Sequence, residues 1–204
     1  FAKAYSGKRR KELPRLIRRL SALGEVHFES HRGKDIPHHF ENFLQLEASG
    51  WKGKGGTALL SNHQTVAFAR EMMSKRAACD GARIDSITVA GRPIAMLVLL
   101  IEAGRIFSWK IAFDEDYGQY SPGAQITLFA FEQSLSDPTI TGGDSLAIPG
   151  HPMIEPLWRG RMRYGTLLCS RSGSGRLLQE AARLDLALNQ NLRRFARKLL
   201  RRKG

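Results

Sequence analysis

The sequence predicts an α/β (α+β) domain: a mixed sheet with an antiparallel meander, flanked by helices. Three observations carry this. Residues 83–113 hold three strand-like runs separated by two short turn signals, Gly91-Arg92 and Ala103-Gly104. The segments on either side repeat apolar residues at spacings of three and four, as helices do. The longest apolar run, Ile94 to Ile101, has eight residues. It suits a strand buried on both faces and falls far short of the ~20 residues of a membrane span.

The elements follow in order. A helix is expected over 12–24, with Pro14 in its first turn, Leu13, Leu16, Ile17, Leu20 and Leu23 on one face, and Gly24 ending it. Val26-His27-Phe28 is a short strand. A second helix spans about Pro37 to Ser49, with Phe40, Phe43, Leu44 and Glu47 spaced at three and four, and stops at Gly50; Gly53, Gly55 and Gly56 make a loop. A third helix covers about Gln64 to Ala78, with Val66, Ala67, Phe68, Met72 and Met73 mostly inward. The meander strands are Arg83 to Ala90, Pro93 to Ile101 and Arg105 to Phe113. Asp114 to Tyr120 is polar and loop-like. Ser121-Pro122 then opens a helix to about Leu135, because a Ser hydroxyl accepts an orphan N–H and Pro lacks one. A strand around Thr141 to Ala147, a short helix around Pro152 to Trp158 and a strand around Met162 to Ser170 follow. Ser172-Gly173-Ser174-Gly175 is a flexible joint before a basic helix from Arg176 to Leu200, with Ala181, Leu184, Leu188, Leu192, Phe195 and Leu199 as its apolar stripe. The expected division is a basic lead-in over 1–34, the main domain over 35–172 and the terminal helix over 173–204.

The chain has 204 residues, 42% of them hydrophobic, which is enough for a core and argues against disorder. Its net charge of +13 is unevenly placed. Residues 1–34 carry 10 basic and 3 acidic groups, 35–156 carry 9 and 14, and 157–204 carry 13 and 2. The basic ends suit a polyanion or an anionic membrane surface, whereas a nucleic-acid reader more often carries its charge on the core. Cys79 and Cys169 are the only cysteines and lie far apart, so a disulfide scaffold is excluded and a reduced, cytoplasmic protein is expected. Cys169 is read as a buried strand cysteine rather than an acyl carrier. The chain starts with Phe1, which points to a fragment of a longer protein.

Three constellations bear on chemistry. Tyr120-Ser121-Pro122-Gly123-Ala124-Gln125 starts a helix with small residues, so its free amides and dipole end would hold a pyrophosphate; the alternative is a plain helix cap. Asp144 and His151 lie near a strand and a helix start, where either side chain would serve as a base; the alternative is turn and cap hydrogen bonding. Lys110 would bind a phosphate or carboxylate, or pair with Asp114 or Glu115 on the surface. The Gly50-to-Thr57 stretch lacks the G-x-x-x-x-G-K-[ST] order and follows a helix, which excludes a nucleoside triphosphate site there. The six histidines show no paired ligand spacing, so no metal is expected.

The segments Phe43 to Ala58, Trp109 to Glu115, Tyr120 to Gly123, Asp144-Ser145 and His151-Pro152-Met153-Ile154 with Leu157-Trp158 resemble the GNAT-type acetyltransferases of the CelD/BcsL-like kind, associated with cellulose biosynthesis. The resemblance spans about residues 40–165 and implies the GCN5-related N-acyltransferase fold. It implies acetyl-CoA, or another acyl-CoA, as co-substrate, with its pyrophosphate against Tyr120 to Gln125. Gly123 fills the first glycine place of the loop [QR]-x-x-G-x-[GA], while Tyr120 and Gln125 depart from it. Gly150 stands where an Asp is common before His151. Direct transfer to an amine or hydroxyl would use proximity, His151 or Asp144 as base, fourth-strand amides near Ile111 on the thioester carbonyl, and Tyr164 or Tyr117 as the acid for the thiolate. The implied acceptor is a small molecule, sugar or cell-envelope precursor. Pairing with a second such domain, as in the related aminoacyl transferases, is a further expectation. The competing readings are an inactive fold that serves interaction or pairing, and a basic module that binds nucleic acid or tRNA.

Overall fold

Helix α1 (Gly7–Leu20) starts earlier than its sequence pattern implies, because the Ser6 hydroxyl accepts the Arg9 N–H at 3.3 Å. Pro14 therefore lies inside the helix rather than in its first turn. The lost backbone bond is offset by Leu13, Leu16 and Leu20, all buried at spacings of three and four. The computed structural model describes residues 6–148, 150–151, 153–162, 165, 167–169 and 173–200. It forms two compact units, Phe1–Arg159 and Gly160–Gly204.

In the first unit α1 leads to β1 (Val26–His31), α2 (Ile36–Ser49), a one-turn helix α3 (Trp51–Lys54) and α4 (His63–Ala78). The meander β2 (Ala82–Val89), β3 (Arg92–Glu102) and β4 (Arg105–Phe113) follows, then α5 (Pro122–Ser136) and β5 (Gly142–Asp144). The sheet order is β1-β2-β3-β4-β5, antiparallel except for the parallel β4–β5 pair. The mixed sheet with its central meander is as the sequence predicts. Both turns are tighter than generic: Ala90-Gly91 and Ala103-Gly104 take positive φ at both positions, the twist that two-residue hairpins need.

Helices cover both faces. Phe40, Phe43 and Leu44 of α2 and Val66, Ala69, Met73 and Ala77 of α4 pack on Ile84, Met96, Val98 and Ala112. Leu20 of α1 and Ile126 and Ala130 of α5 pack on Ile87, Leu97, Leu99 and Ile106. Within α4 the inward set differs from expectation, since Ala67 and Phe68 are exposed and Ala69 and Ala77 replace them. The α5 face also buries Arg83, whose guanidinium donates to Asp85 at 3.0 Å, the Ala130 carbonyl at 2.8 Å and the Ser134 hydroxyl at 2.9 Å.

The structure corrects several boundaries. The segment after Asp114 is a 3₁₀ turn (Glu115–Tyr120), not an open loop. Strand pairing beyond α5 is only three residues long. Residues 153–157 form turns rather than a helix, and the described residues of 162–170 form no strand. Cys169 is exposed, not a buried strand cysteine. The second unit is dominated by α6 (Gly173–Leu200), which leaves Leu177, Leu184, Leu188 and Leu192 exposed. No helix among the described residues is long and apolar enough to cross a membrane.

Candidate functional site

The β4–β5 pair is short. Arg105, Ile106 and Phe107 face Gly142, Gly143 and Asp144, and pairing ends there. No strand among the described residues pairs with the second half of β4 on that side, and its register shows which groups line the edge. The Asp114 N–H donates to the Ile94 carbonyl at 2.8 Å, while Ala95 faces Phe113. Antiparallel alternation therefore turns Ala112 toward β3 and leaves the backbone groups of Ile111 and Phe113 facing the opening.

One extra residue in β4 shapes the opposite face. Leu99 faces Ser108 and Val98 faces Lys110, so Trp109 is the inserted residue of a bulge. The bulge brings Trp109 and Lys110 to the same side of the sheet. Trp109 stacks on Phe40 with ring centroids 6.3 Å apart, and the Lys110 ammonium donates to Glu47 Oε1 at 3.0 Å.

Glu47 is the pivot of this cluster. Its side chain is fully buried, with Oε2 accepting the Leu59 N–H at 2.8 Å and Oε1 shared by Lys110 and Lys52, the latter at 3.3 Å. The Lys52 ammonium also donates to the Ile111 carbonyl at 2.7 Å, so it ties the cluster to the open edge of β4. Burial pushes the Lys52 ammonium below its usual value, with Glu47 opposing. Gly53 places Lys52: a Cβ there would lie 1.7 Å from the Ala48 carbonyl oxygen, so only glycine lets α3 fold back on the end of α2. A cleft of about 430 Å³ lies beside Lys110 and Trp109, against α4 and the preceding loop.

The start of α5 is not the bare turn that the sequence suggests. Ser121 has φ of 53° and its hydroxyl makes no capping bond. Its carbonyl instead accepts the Ala124 and Gln125 N–H groups, both at 3.1 Å. The Gln125 amide donates to the Tyr120 carbonyl at 3.0 Å, and Tyr120, Pro122, Gly123, Ala124 and Gln125 are buried. A Cβ on Gly123 would lie 3.4 Å from Met153 Sδ and 3.5 Å from the Phe113 ring. A diphosphate at the helix start requires the Met153 side chain to move, which its unbranched chain permits.

The two proposed bases are apart in role. Asp144 ends β5 and accepts the Leu146 N–H at 2.8 Å. His151 is half-buried, its carbonyl accepts the Ile154 and Glu155 N–H groups, and its Nδ1 is buried without a hydrogen-bond partner. The two are not hydrogen-bonded to each other among the described residues. Tyr117 lies tilted against Tyr120 with centroids 6.3 Å apart. Tyr164 lies outside the described residues. Lys110 pairs with neither Asp114 nor Glu115. The sequence places its partner Glu47 on the apolar stripe of α2 but does not reveal the pairing with Lys110.

Residues 7–141 match the family described as "Acetyltransferase (GNAT) domain". No curated protein sequence matches at a significant level. Solved structures with a similar fold include an aminoglycoside acetyltransferase from an uncultured soil metagenomic sample, in complex with sisomicin, at 9% identity over 72% of this chain and 97% of that one, TM-score 0.49. Another is the aminoglycoside antibiotic 6'-N-acetyltransferase of Acinetobacter baumannii, at 13% identity over 73% and 100%, TM-score 0.48. A possible acetyltransferase from Clostridium difficile 630 has 12% identity over 72% and 98%, TM-score 0.46.

Proposed function

Since the chain belongs to the GNAT acetyltransferase family, we propose that it moves an acyl group from acyl-CoA directly to the amine or hydroxyl of a sugar or cell-envelope precursor. It is an acyltransferase, and its co-substrate is acetyl-CoA or another acyl-CoA. The observation that carries the reading is the parting of β4 from β5 after Phe107 and Asp144, which leaves Ile111 and Phe113 with backbone groups on an open edge.

In this reading Ile111 turns its N–H toward the acyl carbonyl, and the Lys52 bond to the Ile111 carbonyl holds the adjoining peptide unit in place. Tyr120 to Gln125 hold the diphosphate once Met153 has withdrawn. The bound co-substrate supplies the activated thioester. His151 Nδ1, with no competing partner, takes the proton from the acceptor. Asp144 is the weaker choice because the Leu146 amide already occupies it. Tyr164 is retained as the acid. The free thiols of Cys79 and Cys169 suit a reducing, cytoplasmic setting.

Calorimetric titration with acetyl-CoA tests the first half: binding in the micromolar range supports the reading, and none at millimolar ligand leaves an inactive interaction fold. Thiol release in the presence of amino sugars tests the second. His151→Ala should lower kcat by a factor of ~10²–10⁴ with acetyl-CoA binding kept, the range for losing a general base.

The exposed leucines of α6 favour one more role. Residues 157–204 carry 13 basic and 2 acidic groups beside that stripe, which matches an anionic lipid surface. Co-sedimentation with phosphatidylglycerol vesicles but not phosphatidylcholine vesicles is expected, and equal binding to both removes the idea.

A further inference from the structure

The cleft on the α4 side of β4 is separate from the opening at β5, yet Lys110 and Ile111 are neighbours in the chain and join the two. We propose that this cleft receives the acceptor, and that the acceptor is an amino sugar carrying an anionic group, a phosphate or a carboxylate. This rests on the acyltransferase reading above.

Charge gives the first argument. Lys110 is the only charged residue lining the cleft among those described. Glu47 does not cancel it, because one carboxylate is shared with Lys52 and the cluster keeps one positive charge in excess. An ammonium has three donors, and Glu47 takes one from Lys110. Lys110 is partly exposed, at 23% of its side chain, while Glu47 beneath it is closed off. The carboxylate therefore orients the cation without competing for what enters the cleft. Glu47 is a positioning residue; with Oε2 on the Leu59 amide and Oε1 between two ammoniums, it has no role as a base.

Shape gives the second. Phe68 is 66% exposed although it belongs to a packed helix, and it lines the cleft together with Trp109. Two aromatic side chains in one cleft offer a surface for the C–H face of a sugar ring. Thr57, Asn62 and Thr65 add hydroxyl and amide groups that suit ring hydroxyls. The volume of about 430 Å³ holds a monosaccharide with one substituent. A polycationic amino sugar would meet like charge from Lys110.

Binding to the intact chain, measured calorimetrically without acyl-CoA, tests this with four probes: glucosamine, glucosamine 6-phosphate, muramic acid and sisomicin. The two anionic sugars should bind at least about tenfold more tightly than glucosamine, as for one charge-assisted hydrogen bond, with sisomicin weakest. The stronger of the two identifies phosphate or carboxylate as the group read. Lys110→Gln should bring both to the level of glucosamine, and Lys110→Arg should keep the preference. Equal binding of glucosamine and the anionic sugars, or tighter binding of sisomicin, overturns the proposal. The wild-type comparison needs no variant, so a misfolded Lys110→Gln cannot mask that result. Acetyl-CoA titration on the same samples separates the two readings. Acetyl-CoA binding without an anion preference removes the acceptor class alone. Anionic sugar binding without acetyl-CoA binding leaves the cleft standing and removes the transferase.

Discussion

Glu47 and Lys110 meet at 3.0 Å between α2 and β4, the acid's side chain fully buried and the lysine's partly exposed. Removing the acid strands two ammoniums and the Leu59 amide. Glu47→Ala should lose ~3–5 kcal/mol of stability, the usual result of breaking a buried pair from one side. Glu47→Gln keeps a bond to the Leu59 N–H and should lose less, ~1–3 kcal/mol. Urea unfolding of both variants measures this, and a Glu47→Ala value close to wild type would show that the cluster does not anchor the fold.

His31 and His39 stack at 3.4 Å, and His31 Nε2 lies 2.9 Å from the Ser86 hydroxyl. Burial lowers both imidazoles below 6.5, and each also opposes a neighbouring histidine's charge, while Glu29, Asp35 and, for His31, Asp85 pull the other way. Unfolded histidines bind protons at higher pH than the folded pair does. Their contribution to stability is therefore full above about 6.5 and falls as pH drops from there toward the folded values. Melting temperatures between pH 5 and 8 should rise with pH, and His39→Gln should flatten the slope. A wild-type profile that is flat or falling across that range contradicts the pairing. Asp85, which burial pushes up despite Arg83 and Ser30, acts in the opposite sense above 3.8 and is unchanged in the variant, so the difference isolates the imidazoles.

Ala103 sits at φ of 47° before Gly104, an arrangement that favours asparagine. It is exposed, so Ala103→Asn meets little steric cost. The variant should gain ~0.5–1 kcal/mol from relief of the left-handed strain. A higher urea midpoint at unchanged m-value is the expected reading, and a lower midpoint counts against a relaxed two-residue turn.

The meander was legible because its cues are local: period-two runs and a Gly at each turn. The starts of α2, α4 and α5 were within a residue or two for the same reason. Ser6 was missed because one hydroxyl outweighed the expectation that Pro14 opens a helix. The α5 start was misread because a Ser-Pro-Gly string does not reveal that residue 121 is left-handed or that Met153, thirty residues later, covers Gly123. Glu47 is legible as the lone acid on the apolar stripe of α2, but its partners, at positions 52, 59 and 110, lie together only in the folded chain. The β4 bulge hid for a related reason: Trp109 continues an apolar strand and shows itself only against β3.

Met153 offers a direct probe of that cover. Met153→Ala should tighten acetyl-CoA binding by about threefold, which is under ~1 kcal/mol, because no side chain must be displaced. Gly123→Val should abolish binding, since its new methyl groups would fill the same space against Phe113. Isothermal titration of both variants decides the matter, and unchanged affinity in each would place the diphosphate elsewhere.

One residue more in β4 than in the facing stretch of β3 has a practical meaning. Deleting Trp109 would restore strict alternation: Ser108 stays on the α5 face beside Leu99, Lys110 stays opposite Val98 on the α2 side, and the cleft loses its indole ring while keeping its ammonium. The two halves of β4 answer to different demands, one to the interior and one to the visitor. If the cleft receives the acceptor as proposed, substitutions at 109 and 110 change what it prefers while the remaining ladder stays untouched.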